Sequence, residues 1–95
     1  MKLTHESLGV EVDFVDELLN KHVDAWMTAM RDFDPRWRSL SFQDTATEYV
    51  RAACEAHMLN GFDPENLGDM KPAHVHWIAG EIDRRMTEAL EIPPE

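Results

Sequence analysis

Residues 14–33 constrain the fold more than any other stretch of the chain. Projected at about 100° per residue, Phe14, Val15, Leu18, Leu19, Val23, Ala25, Trp26, Met27, Ala29, Met30 and Phe33 share one continuous arc with His22. The arc spans roughly 220°, about twice the stripe that suffices for a helix resting on a core. Glu17, Asn20, Lys21, Asp24, Thr28 and Arg31 occupy the other side. So wide an apolar face needs cover from two directions. The spacing therefore predicts a central helix over 14–33, flanked by two helices of its own chain or by one helix and a second molecule.

The 95 residues suffice for one domain with its own core. Asp13 is placed to cap the first helix and Asp34-Pro35 to stop it, since proline disfavours helical geometry in the residue before it. Ser41 and Asp44 resemble a capping box for a second helix over about 42–60, with Tyr49, Val50, Ala53, Cys54, His57 and Met58 on its apolar face and Gly61 as its stop. A third helix over about 70–91 follows from the stripe Val75, Ile78, Ala79, Ile82, Met86, Ala89 and Leu90, with Asp69 as its cap. Short connections favour antiparallel neighbours, so the expected fold is all-α, a small antiparallel three-helix bundle. Residues 1–12 form an arm. Val10, Val12 and Phe14 alternate with period two as in a strand, but a lone two-stranded hairpin is marginal in water, which favours an ordered arm or an early helical turn.

Charge narrows the function. The net charge is -10, with two basic against six acidic residues over 1–30, four against four over 31–51, and three against nine over 52–95. Direct binding to nucleic acid needs clustered Lys and Arg and is not expected; a protein partner with a basic surface is. No stretch approaches the roughly 18 apolar residues of a membrane span, and residues 1–6 lack the apolar segment of a signal peptide, so a cytoplasmic protein is expected. The single cysteine excludes an intrachain disulfide. Small acidic helical proteins of this kind are frequent in phages and mobile elements.

Three features bear on chemistry. His22, Cys54, His57 and His74 are ligating side chains on or beside apolar faces, a set from which a four-coordinate metal site can be drawn. Against it, Cys54-x-x-His57 has no answering pair, and core histidines with a buried cysteine account for the same pattern. Cys54 and His57 also lack the open, electropositive setting of a reactive thiol, and no catalytic motif is present; neither an enzyme nor a cofactor is expected. Arg31, Arg36 and Arg38 surround Trp37 in an otherwise acidic chain, a combination suited to gripping a partner or to local pairing with Asp32 and Asp34. Trp77 lies on the polar side of the third helix, where it either covers the N-terminal arm or contacts another molecule.

These features predict a small acidic protein-interaction module, an adaptor, assembly factor or regulatory subunit, that self-associates into a homo-oligomer. Val23, Met27, Met30, Arg31, Arg36, Trp37, Arg38 and Trp77 are the partner-binding candidates. The alternatives are an acidic decoy, whose Glu48, Glu55, Asp63, Glu65, Asp69, Glu81, Asp83, Glu88 and Glu91 replace phosphates before a basic protein, and a small metal-binding protein.

Overall fold

The computed structural model describes residues 1–32 and 42–94. The chain opens with a β-hairpin. β1 (Lys2–His5) pairs antiparallel with β2 (Val10–Phe14), Leu3 opposite Val12 and His5 opposite Val10. Gly9 closes the turn at φ 67°, a left-handed conformation that glycine adopts without steric cost, and its N–H donates to the carbonyls of His5 (2.9 Å) and Glu6 (3.1 Å). Leu3, Val10, Val12 and Phe14 are buried on one face of the hairpin while Thr4 and Glu11 face solvent.

Three α-helices follow among the described residues: α1 (Asn20–Asp32), α2 (Phe42–Glu55) and α3 (Pro72–Leu90). Between α2 and α3 lie β3 (Leu59–Asn60) and a 3-10 turn (Pro64–Asp69) that Asp63 caps by accepting the Glu65 N–H at 2.9 Å. β3 pairs with the free side of β2, Leu59 opposite Phe14, completing a three-stranded antiparallel sheet in the order β1-β2-β3. The fold is α+β, which overturns the expected all-α three-helix bundle.

The misreading has a definite physical source. The arc over 14–33 merges two surfaces of different period. Phe14, 1% exposed, is the last residue of β2 and belongs to the buried face of the sheet; the helix begins only at Asn20. The objection to a lone hairpin also falls away, because β3 and the helices cover it. Nor is α1 central. None of its described side chains is buried, and it packs on α2, where the Trp26 ring meets Tyr49 edge-on at 5.0 Å and Trp26 Nε1 donates to the Tyr49 carbonyl at 3.2 Å. α2 holds the middle of the molecule, packing on α1, α3, β3 and the 3-10 turn. The stripe of α3 holds from Val75 to Met86, each of its members buried, whereas Ala89 and Leu90 lie beyond the core.

The amino-terminal ammonium of Met1 closes the sheet's end. It donates to Asp16 Oδ1 (2.7 Å), Asp13 Oδ1 (3.1 Å) and the Phe14 carbonyl (2.8 Å). Hydrogen bonding to Asp16 raises the ammonium above its ordinary pKa, and the same bond holds the Asp16 carboxyl below its own. Asp13 and Asp16 thus serve the strand end rather than the first turn of a helix.

α2 stops short of Gly61 because His57 takes the left-handed conformation, φ 59°. The His57 N–H donates to the Cys54 carbonyl (3.1 Å) and the Met58 N–H to the Ala53 carbonyl (2.9 Å), the pair of bonds that defines a Schellman cap. Glycine usually fills this position, since a Cβ destabilises left-handed backbone. His57→Gly is therefore expected to stabilise the protein by about 0.5–1 kcal/mol, read as a higher urea midpoint with unchanged slope. A lower midpoint would show that the imidazole contributes more than its backbone strain removes.

Candidate functional site

The outward face of α1 gathers the apolar residues that the core leaves uncovered. Leu19, just before the helix, is 42% exposed and Met27 46%, while Val23 and Met30 are half-buried and Arg31 is exposed. α1 carries two basic and two acidic residues, so it is neutral in a chain of charge -10. Arg36, Trp37 and Arg38 lie outside the described residues.

His22 has a local duty. The Leu19 carbonyl accepts the N–H groups of His22 (2.9 Å) and Val23 (3.3 Å), making Leu19 the N-cap, and His22 Nδ1 accepts the Leu19 N–H at 3.0 Å. A side chain in the third helical position reaching back to the N-cap N–H is one half of a capping box, here made by imidazole instead of Glu or Gln. His22→Ala should cost about 0.5–1.5 kcal/mol while His22→Gln retains most of the stability, as measured by urea denaturation. Equal losses in both variants would remove the capping role.

The other proposed ligands are not drawn together. His57 is exposed at the helix cap, Cys54 and His74 are half-buried, and among the described residues no group of three or more His, Cys, Asp or Glu side chains is placed to hold a metal ion. Nor does a side-chain hydrogen bond among the described residues join Cys54 to His57. Burial pushes the Cys54 thiol up to about 11, assisted by the Asp63 carboxylate and opposed by Arg51. Thiolate therefore forms only as the pH approaches 11. Alkylation by iodoacetamide at pH 8 should run about 100-fold slower than that of an unperturbed cysteine and climb steeply at higher pH. A rate that levels off by pH 9 would contradict this assignment.

Trp77 meets the hairpin. Half-buried, it stands edge-on to His5 with ring centroids 5.8 Å apart and planes at 82°, and His5 Nδ1 accepts the Leu8 N–H at 3.2 Å. Of the two roles open to this tryptophan in the sequence, the structure shows contact with the N-terminal arm.

Two clefts among the described residues bear on function. One, of about 250 Å³, lies between the start of the chain and the end of α3, lined by Met1, Phe14, Val15, Asp16, Leu18, Arg85, Glu88 and Ala89. Arg85 Nε is buried there without a hydrogen bond, 3.8 Å from Glu81 Oε2, and an arginine Nη donates to the Met1 sulfur at 3.6 Å. The other cleft, of about 240 Å³, lies between α2 and α3. Thr45, Ala46 and Tyr49 line it from α2, and His76, Ala79, Gly80 and Asp83 from α3. The sequence places Tyr49 and Ala79 on apolar faces and Asp83 on the acidic surface, but does not bring them together. The available signal was the spacing of 76, 79, 80 and 83, which share a helical face beside the buried stripe.

Compared with known proteins, the chain matches no family model, no curated protein and no solved structure. Among the described residues no helix is long and apolar enough to cross a membrane.

Proposed function

We propose that the protein is a small acidic protein-interaction module, an adaptor, assembly factor or regulatory subunit without chemistry of its own, that works in the cytoplasm and self-associates through the outward face of α1. The observation that carries this reading is the placement of α1. An amphipathic helix with no buried side chain among those described has apolar surface left over, and Met27 sits in the middle of that surface. Charge supports the same face. Two copies of a chain at -10 repel one another, and the repulsion is least where the neutral helix meets its symmetry mate. The proposal extends, by sequence alone, to Arg36, Trp37 and Arg38. The raised thiol of Cys54 argues only against that residue acting as a nucleophile.

Sedimentation over a range of concentrations tests this reading. The mass of the native chain should rise with concentration, and Met27→Glu should weaken self-association at least about tenfold, since it places a charge in the interface without disturbing an exposed position of the monomer. A chain that stays monomeric throughout, or a variant that associates like the native chain, would sink the proposal.

A further inference from the structure

The cleft between α2 and α3 contains a glycine that no contact among the described residues requires. Gly80 lies inside α3, where glycine destabilises a helix relative to alanine. Its backbone is not left-handed, and a Cβ built on it meets no described atom within 4 Å. No close approach of another described element therefore explains the missing side chain. What its absence does is leave the floor of the cleft open between Ala46 of α2 and Ala79 of α3.

Asp83 stands one turn further along the same helix, at the rim. The neighbouring acids of α3 are engaged: Glu81 accepts from Arg84 Nη2 at 2.6 Å, and Glu88 lies 3.9 Å from Arg84 Nη1. The exposed Asp83 carboxylate has neither an ion pair nor a hydrogen bond among the described residues. An open apolar floor, an aromatic wall at Tyr49 and an available carboxylate suit a cation carried on an aliphatic stem, and a net charge of -10 draws cations and repels anions.

From this geometry we infer that the cleft receives an arginine side chain of a basic partner protein. Its methylene stem crosses Gly80 between Ala46 and Ala79, its guanidinium plane lies along Tyr49, and its N–H fork donates to the Asp83 carboxylate. Arginine fits better than lysine because only the guanidinium is both planar against the ring and bidentate toward the carboxylate. This site is separate from the outward face of α1 and stands or falls independently of self-association.

Titration of the full ¹⁵N-labelled chain with N-acetyl-arginine N-methylamide, followed by amide shifts, is the test. Saturable shifts should centre on Ala46, Tyr49, Ala79, Gly80 and Asp83. The neutral isostere N-acetyl-citrulline N-methylamide should not produce them, and the lysine analogue should bind more weakly. Asp83→Asn should weaken binding about threefold or more, and Gly80→Leu should abolish it. Gly80→Ala serves as the control on folding and should raise the melting temperature by about 2–8 °C. Shifts spread evenly over the acidic surface, equal binding of citrulline, an Asp83→Asn variant that binds like the native chain, or a Gly80→Ala variant that melts lower would each overturn the inference.

Discussion

Met58 joins the two halves of the architecture. Its N–H donates to the Ala53 carbonyl and closes α2; its carbonyl accepts the Val15 N–H at 2.9 Å and continues the pairing of β2 with β3. Its side chain is fully buried. Helix end and sheet edge are thus held by one peptide unit on either side of one residue. The left-handed turn at His57 makes this geometry reachable, because it reverses the chain within the cap and sends Leu59 and Asn60 alongside β2. Without that reversal β2 would lose its second partner strand and leave a two-stranded hairpin, which is marginal by itself. The local strain at His57 is therefore coupled to the survival of the whole sheet, and the core that sheet shares with α2 and α3 offsets it.

How much of this was legible depends on whether the signal was local. α3 was legible almost to its ends, because Val75, Ile78, Ala79, Ile82 and Met86 repeat at helical spacing and Pro72 is tolerated at its first position. The body of α2 was legible for the same reason. Its end was not, since no rule of composition marks His57 for a left-handed conformation when Gly61 stands four residues later, also at positive φ. The period-two pattern of Val10, Val12 and Phe14 was visible, yet it was outweighed by a sound argument applied to the wrong object. The hairpin is stabilised by Leu59 and Asn60, about 45 residues away in the chain, and such a non-local pairing leaves no trace in periodicity.

The candidate site divides along the same line. The exposed apolar residues of α1 were legible because they are defined by their own helix, although the reason given for them, a central helix left partly uncovered, was not the operative one. α1 exposes Met27 because it is peripheral. The histidines were legible as oddities but not in role: the bond from Leu19 to His22 needs the helix to begin at Asn20 instead of residue 14. The α3 side of the cleft was legible in the spacing of 76, 79, 80 and 83, but the cleft itself was not, because Asp83 and Tyr49 come together only once α2 and α3 pack.

Tyr49 connects the two surfaces. Its carbonyl accepts from Trp26 and its ring meets the Trp26 indole edge to face, so α1 rests on it; the same residue lines the cleft between α2 and α3. α1 has no buried anchor among its described side chains, and the Trp26–Tyr49 contact ties it to the body by both a ring contact and a hydrogen bond. Trp26 meets Tyr49 from α1, and Ala79, Gly80 and Asp83 share a cleft with it on the α3 side. Val50, the next residue along α2, is fully buried, so the turn of helix that carries Tyr49 is set by the core.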